Sequence, residues 1–153
     1  MANTPAMCNS FKLELLTGQH NLGVGFIRAG TTTDVIKAAL YLTTATINNA
    51  TSVYSSTNEI SAGTVSYTAG GNTVTNATAP VTFTNTATWT PSAPIVWTNL
   101  TAPTAFDTVL FYNVTNGNRA IASFGIGAQT ITAGTLTLTM PTPGAATSLI
   151  QIA

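Results

Sequence analysis

From Val81 to Thr90 the chain alternates without a break, Val81-Thr82-Phe83-Thr84-Asn85-Thr86-Ala87-Thr88-Trp89-Thr90, with threonine at every second position. A period of two is the mark of extended backbone, whose successive side chains point to opposite faces. Threonine is also β-branched, and its stiff χ1 favours strand over helix. The reading places Val81, Phe83, Ala87 and Trp89 on one face of a strand and a threonine ladder on the other. The same code returns at Thr130-Ile131-Thr132 and at Thr135-Leu136-Thr137-Leu138-Thr139-Met140. Threonine makes up about a fifth of the chain, so this pattern governs what the chain can become.

Other segments read the same way. Phe11-Lys12-Leu13-Glu14-Leu15 alternates apolar with charged residues and is expected as a half-buried strand. Residues 35–42 (VIKAALYL) suit a short helix or a strand, and their β-branched start and threonine-rich continuation favour strand. Val109-Leu110-Phe111-Tyr112 is a continuous apolar run suited to a strand buried on both faces. Asn116-Gly117 follows it, a strong hairpin signal, with the return strand expected over 119–126 (RAIASFGI). Gly70-Gly71 marks a turn between runs at 65–68 and 73–75, and residues 148–152 give a last short strand. With weaker runs at 23–27 and 95–98, about eight to ten short strands are expected, no helix of ten residues, and a single turn near Thr57-Asn58-Glu59. The expectation is an all-β chain, an antiparallel β-sandwich or small barrel. It has a polar N-terminal arm over residues 1–10 and a single domain over 11–153. No fixed-period repeat points to a propeller or solenoid. Residues 77–103 are rich in Thr, Pro and Ala, but their alternation argues against a disordered linker.

At 153 residues and 15.7 kDa the chain fits one domain. Such a domain buries roughly 68–70% of its unfolded surface and needs no covalent staple. Cys8 stands alone, so no intrachain disulfide is expected and a reducing compartment is favoured. The opening MANTPAMCNS lacks the basic start and apolar run of an export signal. No apolar stretch approaches the ~18 residues of a membrane span. The expectation is a soluble, unexported chain.

Charge is the outlying quantity. Eight residues carry it: Lys12, Glu14, Arg28, Asp34, Lys37, Glu59, Asp107 and Arg119, 5% of the chain with a formal sum of zero. About a quarter is usual. Four scattered cations build no stripe for nucleic acid and no patch for anionic lipid, so neither partner is expected. Mixed surface charge and a net charge away from zero normally hold molecules apart. This chain has neither, which implies a surface meant to be covered by other protein.

The inventory for chemistry is short. His20 lies in Thr17-Gly18-Gln19-His20-Asn21, a polar turn, and is expected as a surface or turn histidine rather than a general base or ligand. Cys8 has no basic neighbour to lower its pKa. The carboxylates Glu14, Asp34, Glu59 and Asp107 are spread over the chain, with Glu14 on the polar face of its expected strand, and do not read as a hydrolytic pair. No cluster suits a metal, no nucleophile elbow is present, and Gly23-Val24-Gly25 is not a nucleotide fingerprint. No catalytic, cofactor-binding or metal-ligating residues are assigned, no cofactor is expected, and the chain is not read as an enzyme. Asn-x-Thr triplets at Asn49, Asn76, Asn99 and Asn113 follow from composition. Trp89 and Trp97 are expected in the core or an interface. Tyr54 and Tyr67 are the better candidates for exposure, and an aromatic platform for sugar is the alternative reading of these four.

Five segments in order carry a resemblance: residues 11–20 (FKLELLTGQH), 34–41 (DVIKAALY), 54–59 (YSSTNE), 67–71 (YTAGG) and 113–122 (NVTNGNRAIA), followed by the Ile-rich C-terminal strand. The chain resembles small virion structural proteins of tailed bacteriophages across most of its length. Ser66-Tyr67 departs from the expected Gly-Tyr pair. The resemblance implies a capsid cement or decoration protein with a jelly-roll-like fold, a homotrimer that binds the major capsid protein, bridges capsomers and stabilises the head. It also implies assembly in the host bacterial cytoplasm and residence on the virion surface. Contact segments are expected at residues 1–10, 91–94 and 141–143. A tail or fibre component that recognises a host, and a carbohydrate-binding module, are the other readings.

Overall fold

The computed structural model describes residues 3–23, 33–60, 66–76 and 78–153. Eight strands and one short helix follow one another as β1 (Ala6–Met7), α1 (Asn9–Leu16), β2 (Ile36–Leu42), β3 (Asn72–Thr73), β4 (Val81–Phe83), β5 (Thr86–Trp89), β6 (Ile95–Asn113), β7 (Arg119–Leu138) and β8 (Ile150–Ile152). They form two antiparallel sheets, one in the order β1-β7-β6-β2-β3 and the other β4-β5-β8. The all-β, sandwich-like class read from the alternation is therefore the class observed. Jelly-roll connectivity is not established by this strand order. The expected run at 23–27 lies largely outside the described residues, as does the start of the one at 65–68. The rest of that second run is turn and irregular backbone, not strand.

The hairpin of β6 and β7 is the spine. Its turn is the Asn116-Gly117 signal, with Gly117 at φ 64 and Asn118 at φ 59, the left-handed pair that hairpin turns demand. The strands run 19 and 20 residues, far beyond the short strands expected at each end. They stay continuous because bulges absorb their curvature, with residues in left-handed backbone at Asn99 (φ 52) on β6 and at Gly127 (φ 74) and Ala133 (φ 48) on β7. The half nearer the turn is packed on both flanks: β2 pairs with β6 from Ile36↔Asn113 to Leu42↔Phe106, and β1 pairs with β7 at Met7↔Ala122 and Ala6↔Ser123. Val109, Leu110, Phe111 and Tyr112 are all buried there, as their unbroken apolar run predicts. The far half, where residues 95–102 face 131–138, extends past both flanking strands as a two-stranded ribbon. Ile95, Trp97, Leu100, Ala102 and Leu136 point into the core, while Thr130, Thr132, Thr135, Thr137 and Thr139 stand exposed. The threonine ladder is real on β7.

Two segments fold otherwise than expected. Residues 81–90 make a hairpin rather than one strand, turning at Thr84 (φ 56) and Asn85 with Val81↔Thr88 and Phe83↔Thr86 opposed. A two-residue loop inverts the phase of an alternating pattern, so Thr86 and Thr88 share a face with Val81 and Phe83; the edge strand β4 is exposed throughout, while Thr88, Trp89 and Thr90 are buried. Residues 11–15 lie in α1, not in a strand. Leu, Lys and Glu are good helix formers. The helix stops at Gly18 (φ 66), whose N–H reaches the Leu15 carbonyl, while the Gln19 N–H reaches that of Glu14. Helical spacing sends Phe11 and Glu14 inward together. A strand would have sent Phe11, Leu13 and Leu15.

Residues 3–10, expected as a polar arm, are strung along the domain. Asn3 donates to Asp107 Oδ1 (2.6 Å) and to the Leu42 carbonyl (3.1 Å), and its Oδ1 accepts from the Ile47 N–H (2.9 Å). Thr4 pairs with Ile47 and Asn9 with Asn49 through the backbone, and Cys8 is fully buried. One continuous apolar core gathers these parts, with Trp97, Tyr41, Phe11, Phe106 and Phe111 its largest enclosed side chains. Each contributes about 1.5–3 kcal/mol by leaving water.

Candidate functional site

All four tyrosines of the chain meet at one carboxylate. Glu59, buried at the end of the loop after Tyr54, accepts from Tyr54 Oη (2.6 Å), Tyr67 Oη (2.7 Å) and the Gly70 N–H (2.7 Å). Tyr112 stacks on Tyr54 with ring centroids 4.5 Å apart and donates to the Gly70 carbonyl (2.7 Å). Tyr41, bridged to Glu59 through the backbone, donates to the Ser55 carbonyl, and Tyr67 Oη accepts from the Leu40 N–H (2.9 Å). The Gly70-Gly71 turn fits so closely that a Cβ on Gly71 would lie 1.8 Å from the Ala38 carbonyl oxygen, and Gly71 stands at φ 70. Ser66, where Gly was expected, adopts φ 62, the backbone a glycine would favour. Burial and then the Glu59 charge push Tyr112 up to about 12 and drive Tyr67 far above the usual tyrosine range. Tyr41 and Tyr54 also rise, burial being the larger cause in both. The hydroxyls of Tyr54 and Tyr67 are donors that satisfy the buried carboxylate, and those of Tyr41 and Tyr112 satisfy backbone carbonyls around it. Tyr54 and Tyr67, expected as exposed, are half-buried and spent inside the fold.

The second cluster contains the histidine. Glu14 on α1 is buried, its Oε2 2.7 Å from His20 Nε2, and the Arg119 guanidinium at the start of β7 closes on its Oε1. The amide of Asn113, at the end of β6, donates to Asp34 Oδ2 (2.6 Å) and faces His20 Nδ1 (3.0 Å), while its Oδ1 accepts from the Asn116 N–H. Those two contacts fix the amide so that NH₂ faces His20. The ring therefore accepts at Nδ1 and donates from Nε2 to Glu14, the neutral tautomer. His20 packs edge-on to Phe11 at 4.8 Å. Sequence reading put His20 on the surface and Glu14 on the polar face of a strand. Both are buried, because the helix brings Glu14 round to Arg119. The signals that could have found this were the helix-forming Leu/Lys/Glu content and the Thr17-Gly18 stop.

What these clusters can do is hold the chain together. Both ring nitrogens of His20 are occupied by Glu14 and Asn113. Cys8 is sealed, its thiol pushed up to about 11 by burial first and by nearby Glu14 second. Among the described residues no three of His, Cys, Asp and Glu gather as a metal would need. Trp89 and Trp97 are buried, as expected, and Trp89 Nε1 donates to Asn76 Oδ1. Of the expected contact segments, Ser92 and Pro94 are exposed, as are Thr142 and Pro143. Among the described residues no helix is long and apolar enough to cross a membrane.

The outside is the complement of this inside. Glu14 and Glu59 are buried, and Asp34, Lys37, Asp107 and Arg119 are half-buried. Among the described residues Lys12 is the single charged side chain that stands exposed. Not one charged residue occurs between Glu59 and Asp107 or after Arg119. The small sheet, the ribbon and its threonine ladder therefore present hydroxyls, methyls and backbone, with no charge at all. Compared with protein-family models, curated proteins and solved structures, the chain matches none.

Proposed function

We propose that the chain is a structural, non-catalytic component of a virus particle, a cement or decoration protein that seats on the head shell and ties neighbouring capsomers together. One observation carries this reading: among the described residues both glutamates sit in interior clusters and Lys12 alone of the charged side chains stands exposed, so the exterior is largely a neutral, threonine-rich surface with an unpaired β7 edge. An uncharged, unpaired edge is what single soluble domains avoid, by lysines, prolines or a covering loop. Among the described residues no strand pairs with the outer side of β7 over residues 125–138, and that stretch carries no charge to protect it. Such an edge is suited to a neighbour. Self-association as a homotrimer, assembly in the host cytoplasm and a final place on the virion surface belong to the same proposal. The role is mechanical: each interface of about 1,200–2,000 Å² raises the cost of pulling the shell apart. A sugar-binding module would need an aromatic platform, and here both tryptophans are buried and the tyrosine hydroxyls are engaged internally.

Copy number tests the placement. Quantitative mass spectrometry of purified particles is expected to find the chain in hundreds of copies, in a fixed ratio to the major shell protein. A few tens of copies, recovered with tails after the heads are removed, would replace the head reading with the tail or fibre one.

A further inference from the structure

Two features of the surface match each other. The first is a knob. Strand β4 is the edge of the small sheet, and among the described residues no strand pairs with its outer side. Val81 and Phe83 stand 42% and 41% exposed on one face of it, with Thr82 on the other. Among the described residues Phe83 is the single aromatic side chain that stands exposed. The second feature is a hole. Beside the unpaired edge of β7 opens an apolar cleft of about 410 Å³, lined by Phe124 and Ile126 from one half of the strand and by Leu136 and Leu138 from the other, with Met140 and Leu149 beyond them. The Phe111–Phe124 pair, with ring centroids 5.2 Å apart, lies at this cleft. Gln129 on its lining donates its amide to the Ile126 carbonyl (3.1 Å).

The alternation of the two strands says how they fit. Along the β7 edge Leu136 is buried and Leu138 half-buried at the cleft, while Thr135 and Thr137 stand exposed. An added strand reading Val-Thr-Phe continues both rows: Val81 and Phe83 extend the leucine row over the cleft, and Thr82 extends the threonine row. The strand edge supplies main-chain hydrogen bonds and the cleft selects an apolar anchor, the two parts of recognition by strand addition. Charge agrees, since residues 60–106 and 120–153 contain no charged side chain. No like charges meet in such a contact and no ion is stripped of water. Within one copy β4 and β7 belong to different sheets, so the knob reaches a hole on another molecule. We infer that β4 of one copy pairs with the β7 edge of the next and seats Phe83 in its cleft. The contact is head-to-tail, using a different patch on each copy, and it leaves a free β4 at one end and a free cleft at the other until a ring closes. The inference rests on the reading of the chain as self-associating, and adds which surfaces meet.

Sedimentation velocity of the wild-type chain, Phe83→Lys and Leu138→Lys, each alone and the two variants mixed, tests this. Wild type is expected to assemble. Each lysine variant is expected to associate at least about ten-fold more weakly, one by losing the anchor and the other by placing an ammonium in the cleft. An equimolar mixture of the variants is expected to give a one-to-one complex and nothing larger. Only the intact β4 of the Leu138→Lys copy and the intact cleft of the Phe83→Lys copy remain to meet. Phe83 is exposed, so Phe83→Lys keeps a native circular dichroism spectrum, and it decides the matter even where Leu138→Lys fails to fold. Wild type that stays monomeric overturns the self-association reading and this contact with it. Wild type that assembles, with folded Phe83→Lys assembling equally, overturns the β4–β7 contact alone. Folded Leu138→Lys that assembles like wild type overturns it too, by removing the cleft from the contact. Two monomeric variants that form no complex on mixing overturn the head-to-tail arrangement.

Discussion

Glu59 shows how one residue organises distant parts of this chain. Its carboxylate takes donors from Tyr54, Tyr67 and Gly70 in a buried site. Removing it leaves three donors without an acceptor, so Glu59→Ala is expected to cost about 3–5 kcal/mol in urea unfolding. Tyr54→Phe should cost about 1.5–3 kcal/mol, and in the Glu59→Ala background much less, because the shared partner is gone. Additive losses would mean that the two do not form one unit. Titration gives a second handle. Tyr112 has its folded-state value raised from 10 to about 12 and Cys8 from 9 to about 11. The folded state therefore holds these protons more tightly than the unfolded one. Their stabilisation is full below pH ~9–10, the unfolded values, and is lost as pH climbs through the folded ones. Tyrosinate absorbance is expected to appear together with cooperative unfolding above about pH 11. Smooth ionisation near pH 10 with the fold intact would contradict this placement of the tyrosines. Glycines divide in the same residue-level way. Gly71→Ala, blocked by the Ala38 carbonyl, should cost more than about 3 kcal/mol, whereas Gly117→Ala, at φ 64 with nothing within 4 Å, should cost about 1–2 kcal/mol.

Among the elements, the N-terminal segment departs most from a free arm. β1 and the residues around it close over β7, burying Cys8 and tying Asn3 to Asp107 at the bulge where the β2–β6 register shifts. Alkylation of Cys8 by a neutral thiol reagent is expected to proceed only at the rate of opening of this strap, and to accelerate sharply on unfolding. Labelling of the native chain at the rate of a free thiol would place the segment in solvent. The same contrast explains what could be read in advance. β2 and the Asn116-Gly117 hairpin were legible because their signals are local: an apolar run of the right length, and a turn dipeptide with one good backbone solution. The hairpin at Thr84-Asn85 was not, since a two-residue turn without glycine leaves an alternating sequence looking unbroken. α1 was missed because alternation over five residues also fits a helix whose inward face is chosen by Arg119, far along the chain. The tyrosine ring was invisible for a related reason, its members being scattered from Tyr41 to Tyr112 and joined only by the pairing of β2, β3 and β6.

Taken whole, the molecule inverts the usual division of a soluble domain. Among the described residues both glutamates lie inside, satisfied by tyrosine, histidine and arginine, four further charged side chains are half-buried, and the exterior is rich in threonine with Lys12 its one exposed charge. Residues 34–41, 54–59 and 67–71 converge on Glu59, and residues 11–20 and 113–122 on Glu14 and His20, with Asp34 joining the second cluster. What those segments encode is the scaffold. The function proposed for the chain lies in the neutral surface that scaffold leaves behind. With a formal charge of zero, nothing electrostatic opposes contact between copies. The direct measurement is the solution mass by light scattering over a wide concentration series at neutral pH. The account predicts a discrete assembly, a trimer of three times 15.7 kDa, that persists on dilution and is insensitive to salt. A monodisperse 15.7 kDa monomer at every concentration, soluble with its ribbon bare, would contradict the claim that this surface exists to be covered.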